Sequence, residues 1–214
     1  MGDDRTGIIA LYQRHGLAWE ADRQAEHGRR PLMERPWLDR FLALAPPGGA
    51  ILDLGCGGGQ PIAAYLGAQG RAVTGVDAAP ALVDLARARM PDQDWRVGDM
   101  RGLDLGTRFA GILAWDSFFH LDFDAQRAMF PVFQRHAQPG APLMFTAGPR
   151  HGEAMGSYAG EALYHASLDP AEYRTLLHTH GFDVVEYRAE DPDCGRRTVW
   201  LARARPCRII QNSV

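Results

Sequence analysis

The chain is 214 residues long with 46% apolar side chains, which fits one α/β domain with a full core and excludes wholesale disorder. Its net charge of −3 argues against a nucleic-acid substrate, because phosphate binding leaves a basic surface. All 23 Lys+Arg residues are arginine, so chemistry that needs a lysine, whether a Walker P-loop or a Schiff base, is excluded.

Cys56, Cys194 and Cys207 are too few and too scattered for a disulfide framework or a zinc site, so no metal is expected and the cytoplasm is the expected location. No apolar run reaches ~18 residues and no signal-peptide core is visible, so no membrane partner is expected. Met1 to Thr6 formally match a myristoylation pattern, but two acids follow Gly2.

Two helices are predicted over residues 6–26 and 31–45, joined at Gly28 to Pro31; in the first, Ile8, Leu11, Tyr12, His15 and Trp19 recur at helical spacing. They form an N-terminal unit, 1–46, expected to cap a ligand site, with core packing the better reading for Trp37. Alternation follows over 47–205, with 206–214 as a tail. Strands are predicted at Ala50–Leu54, Arg71–Val76, Asp94–Gly98, Phe109–Trp115 and Pro142–Ala147. Helices are predicted at Pro61–Gly70, Pro80–Met90 and Asp124–Ala137, the last kinked or split by Pro131. Residues 148–168 read as a long loop, and such loops are usually functional. Asp169-Pro170-Ala171-Glu172 supplies an N-cap, a first-turn proline and a capping-box Glu for a helix ending at Gly181. Phe182–Tyr187 and Thr198–Ala204 should close the domain as an antiparallel pair. The pattern predicts a doubly wound α/β sheet.

The first strand runs into Asp53-Leu54-Gly55-Cys56-Gly57-Gly58-Gly59. Glycines are needed where backbone passes close to a ligand. A dinucleotide fingerprint would need a third glycine at position 60, where Gln60 stands. Asp53 before the glycines would repel a pyrophosphate but suits an ammonium group. Asp77 ends the second strand, where a carboxylate can accept from both ribose hydroxyls. Asp99 ends the third, where it can accept from an adenine amino group while Met100 packs on the ring. Three acids at consecutive strand ends, on the edge where such sheets bind ligands, point to one site.

With these residues in place, the chain resembles the class I S-adenosylmethionine (AdoMet) dependent methyltransferases over roughly 30–205. Asp53 to Gly59 match the first motif, Asp77 the second, and Asp99-Met100 the third; Gln138 to Phe145 are similar to the entry of the fifth strand, with Ala141 where a second glycine is usual. The resemblance implies a Rossmann-like, mostly parallel sheet of seven strands in the order 3-2-1-4-5-7-6, strand 7 antiparallel. It implies AdoMet as cofactor and S-adenosylhomocysteine (AdoHcy) as product. Asp53, Gly55, Cys56 and Gly57 would lie at the methionine part, Asp77 and Ala78 at ribose, Asp99 and Met100 at adenine, and Trp115 nearby.

In this family the residues after the fourth strand face the transferred methyl group; here they are Trp115 to Leu121. They lack the Asn/Asp-Pro-Pro-aromatic motif of DNA amino-methylating enzymes, the Pro-Cys of cytosine-C5 enzymes and the paired Glu of protein arginine enzymes. Asp116 could begin a catechol-type Mg²⁺ site, but Thr146-Ala147-Gly148 cannot complete it. A metal-independent enzyme acting on a small-molecule acceptor is what elimination leaves. His120 is the candidate general base, with a rate that falls below a pKa of ~6–8, and Asp116 a candidate for orienting the acceptor. Tyr12, Phe119, His151, Tyr158 and His165 are candidate substrate residues. A non-catalytic AdoMet-binding protein and, less favoured, an NAD(P)-dependent oxidoreductase are the competing readings. The sequence specifies no oligomeric state.

Overall fold

A computed structural model describes residues 7–27 and 32–206. The expected junction at Gly28–Pro31, the Met1–Thr6 pattern and nearly all of the tail lie outside the described residues. Helices α1 (Ile8–His27) and α2 (Arg35–Leu44) precede β1 (Ile51–Leu54), α3 (Ile62–Ala68), β2 (Val73–Asp77), α4 (Pro80–Arg89), β3 (Asp94–Val97) and β4 (Gly111–Ala114). A 3₁₀ turn at Phe118–His120 leads to α5 (Phe123–His136), β5 (Pro142–Ala147), a hairpin of β6 (Gly152–Tyr158) and β7 (Glu161–Ser167), α6 (Pro170–Thr179), β8 (Phe182–Asp191) and β9 (Arg197–Ala204).

The main sheet has seven strands in the order β3-β2-β1-β4-β5-β9-β8. Setting the hairpin aside, this is the expected 3-2-1-4-5-7-6. β3, β2, β1, β4 and β5 are parallel, and β9 runs antiparallel to both β5 and β8. β1, β4 and β5 are buried along their whole length, as expected of parallel strands covered on both faces.

One face carries α2, α3 and α4 over a core that includes Trp37, Phe41, Leu66, Val83 and Trp95. The other carries α5 and α6 over Phe118, Phe130, Phe133, Phe145, Tyr173 and Trp200. Helix α5 starts at Asp122, whose side chain accepts from Ala125 N at 2.7 Å, and runs unbroken through Pro131. The helix is therefore not split: Phe130, Val132 and Phe133 bury around the proline, and this packing outweighs the lost backbone bond. Helix α6 is capped by Asp169, which accepts from Ala171 N at 2.8 Å. Glu172 does not close a capping box but reaches α5 instead, where it accepts from Arg127 Nε at 2.7 Å.

The largest departure is at 148–168, which holds a hairpin rather than a structureless loop. Its register runs from Gly152↔Ser167 to Tyr158↔Glu161 around Ala159-Gly160, both at positive φ (51° and 80°), the signature of a type I′ turn. The hairpin leans on α1. Glu161 accepts from Arg14 and lies 2.6 Å from His15 Nε2, and Tyr158 donates to Asp22 at 2.8 Å.

Candidate active site

The carboxyl edge of β1 to β4 opens into a cleft with an enclosed volume of about 90 Å³. Gly55, Asp77, Ala78, Asp99 and Met100 line it on the sheet side, and α1 closes it with Ile8, Ile9, Tyr12 and Trp19. The glycine turn makes room for it. Gly55 has φ 75°, and a Cβ there would fall 2.3 Å from Ser117 Cβ, so no other residue fits. Asp77 fixes the turn from below: Oδ2 accepts from Gly57 N and Oδ1 from Ala79 N, both at 2.9 Å. Each carboxylate oxygen can accept more than one bond, so Asp77 can still receive ribose hydroxyls. Burial raises the Asp77 pKa, and the two backbone N–H groups oppose that shift. Asp53 lies deeper, 4% exposed, where burial pushes its pKa up to about 7 and the Arg23 guanidinium partly offsets this.

A second cleft continues outward from the first, and Tyr12, Trp19, Asp116 and His120 line both. Its outer wall includes Phe119, His165, Glu190, Arg196 and Arg197. The His120 ring is buried between two partners. Nδ1 lies 2.9 Å from the Tyr164 carbonyl, and Nε2 lies 3.2 Å from the Tyr12 hydroxyl. A carbonyl only accepts, so Nδ1 carries the hydrogen, and the Tyr12 hydroxyl donates to the Nε2 lone pair. Burial holds the His120 pKa down at about 4. Its ring also stacks on His165, centroids 4.9 Å apart.

Asp116, at φ 49°, is gripped by Arg197: Nε is 2.9 and 3.0 Å from the two carboxylate oxygens and Nη2 is 2.7 Å from Oδ2. Behind Arg197 lies Glu34, fully buried, with Oε1 3.9 Å from Nη2.

The methyltransferase-domain family model matches residues 51–140. The chain is 27% identical over 160 residues to the malonyl-[acyl-carrier protein] O-methyltransferase of Serratia marcescens; the match takes in 72% of this chain and 62% of that protein. In structure it is similar to the AdoMet-bound amino pentose methyltransferase of calicheamicin biosynthesis from Micromonospora echinaspora, with TM-score 0.67, 22% identity, and 86% and 96% of the two chains covered. It is also similar to the glycopeptide N-methyltransferase MtfA in complex with AdoHcy, with TM-score 0.63, 18% identity, and 79% and 88% covered. Residues 51–140 therefore carry a methyltransferase domain, on a fold shared with AdoMet-dependent methyltransferases. The glycine turn, the acid at the end of β2 and the apolar wall from α1 together suit AdoMet.

Not every expected residue faces the clefts. Cys56 and Trp115 belong to the core. Trp115 is the last residue before the chain turns at Asp116; it is buried, with the Arg197 guanidinium 6.0 Å from its ring centroid. Asp99 lines the cofactor cleft, but Arg101 Nε holds its two oxygens at 3.0 and 2.9 Å. The adenine amino group would therefore share that carboxylate rather than own it. Tyr158 is half-buried and ties the hairpin to α1, while His151 stacks on Phe123 at 4.6 Å beside a third cavity that Phe119 and His165 also line. The N-terminal helices divide their roles: α1 lines the cofactor cleft, whereas α2 buries Trp37, Leu38 and Phe41.

Proposed function

We propose that this methyltransferase methylates an amine on a small-molecule acceptor, without a metal and in the cytoplasm, with Tyr12 and His120 handling the proton. The observation that carries this reading is the shared wall of the two clefts, where Tyr12, Trp19, Asp116 and His120 separate the cofactor side from the outer side. Bound on the inner side, AdoMet supplies a methyl group on a sulfonium that is already a good leaving group. The protein's own work is then to position the acceptor and exclude water.

His120 is neutral at working pH, because burial keeps its pKa near 4. Its free lone pair, on Nε2, already accepts from Tyr12. Tyr12 lines both clefts, and its oxygen takes the acceptor's proton as its own hydrogen passes to Nε2. The positive charge ends on a ring whose Nδ1–H stays on the Tyr164 carbonyl and which Asp116 favours electrostatically.

The outer cleft presents two carboxylates, Asp116 and Glu190, against two guanidinium groups, Arg196 and Arg197, and a carboxylate there can accept from an acceptor's N–H groups. The similar proteins that act on an amino pentose and as a glycopeptide N-methyltransferase lend the same reading weight. Metal independence is supported by Asp116, whose carboxylate Arg197 occupies. The test is a panel of paired acceptors, amino sugars and their hydroxyl counterparts, assayed with and without a chelator. Transfer to the amines at an unchanged rate in chelator is expected. Preference for the hydroxyl members, or loss of activity in chelator, would contradict the reading.

A further inference from the structure

Helix α1 places a carboxylate against the glycine turn that the cofactor motifs do not include. Glu20 is 1% exposed. Its Oε1 accepts from Arg89 Nη1 at 2.6 Å and from Gln24 Nε2 at 2.8 Å, and the same Arg89 nitrogen donates to the Gly58 carbonyl at 3.0 Å. Its Oε2 is buried and has no hydrogen-bond partner among the described residues. Buried carboxylate oxygens are rarely left so, because an unmade bond to a charged group is costly.

The turn is cut to fit this side chain. A Cβ on Gly58 would lie 2.9 Å from Glu20 Oε1 and 2.7 Å from Arg89 Nη1. A Cβ on Gly57, which lines the cofactor cleft, would lie 3.8 Å from Oε2. The orphan oxygen therefore sits behind Gly57, where the cleft wall has no side chain.

We propose that Glu20 Oε2 receives the α-ammonium group of the cofactor's methionine part, so that helix α1 reads the amino-acid end of AdoMet. Asp53, the acid the sequence nominates for that ammonium, is a weaker counter-charge, since burial pushes its pKa up to about 7. Asp77 stands at the end of β2, where its remaining acceptor capacity is assigned to the ribose hydroxyls. Glu20 is tied to α4 through Arg89, so occupation of the ammonium site would also fasten α1 over the cleft.

The test compares, by calorimetry on the whole chain, AdoHcy with the analogue in which only the α-amino group is replaced by hydrogen. The wild type should bind the analogue about 10- to 100-fold more weakly. Glu20→Gln keeps an oxygen for Arg89 and should lose a similar factor for AdoHcy while binding the analogue within about twofold of wild type. Equal wild-type affinity for both ligands would overturn the proposal, as would a variant that binds AdoHcy normally or weakens both ligands alike. If Glu20→Gln does not fold, Glu20→Asp, which keeps the charge but withdraws it by one methylene, is judged by the same criteria. No acceptor is involved, so the outcome is independent of the proposed amine chemistry.

Discussion

Replacing His120 with alanine is expected to lower the transfer rate by roughly 10²–10⁴-fold while leaving AdoMet affinity nearly intact. The imidazole is buried, and its loss also strands the Tyr164 carbonyl. His120→Asn is therefore the sharper variant: its amide N–H can replace the Nδ1–H donor, but it offers no basic lone pair at the Nε2 position. The expected result is a stable protein with a rate as low as the alanine variant. Full kcat in His120→Asn would reduce His120 to packing. A several-fold change confined to KM would mean that positioning alone suffices.

The pH dependence follows from the same geometry. An ordinary histidine predicts a rate that falls below ~6–8, but burial carries His120 to about 4. The acid limb of kcat/KM attributable to this group is therefore expected near pH 4, with a flat region above it. Stability has the matching sign. The unfolded chain binds a proton at about 6.5 and the folded chain only near 4, so stability is lost as pH falls from ~6.5 toward 4 and is unaffected above that window.

Asp77→Asn is expected to weaken AdoMet by roughly 2–3 kcal/mol, about 30- to 150-fold. If Asp77 only met ribose, the apo protein would not notice the change. The structure gives it a second task, since it accepts from Gly57 N and Ala79 N. An asparagine amide can accept at only one of its two ends, so one buried N–H loses its partner and the glycine turn loosens. The melting temperature should therefore drop as well, by ~2–4 °C for each kcal/mol. An unchanged affinity, read by calorimetry, would remove Asp77 from the cofactor site.

Much of this was legible because the signals were local. Asp53, Asp77 and Asp99 marked where the first three strands end, and the glycines between Asp53 and Gln60 marked the turn. The β6–β7 hairpin was not legible. β6 is mostly exposed, so it has little apolar alternation, and its turn places alanine at 159 where Asn, Asp or Gly is the usual cue. Arg197 was missed because nothing near it in sequence announces Asp116, 81 residues away. Glu20 was missed for a similar reason: its partner Arg89 is 69 residues distant. Trp115 and Cys56 were placed by motif position alone, and a motif does not say which side of a strand end a side chain takes.

The measurement that bears most directly on the central claim is the fate of a labelled methyl group. Incubated with methyl-tritiated AdoMet and a cell extract, the protein should move label into the ultrafiltrate, on acid-soluble amines, with chelator present and with dependence on His120. Label retained on protein or nucleic acid, or no transfer to any small molecule, would contradict the account.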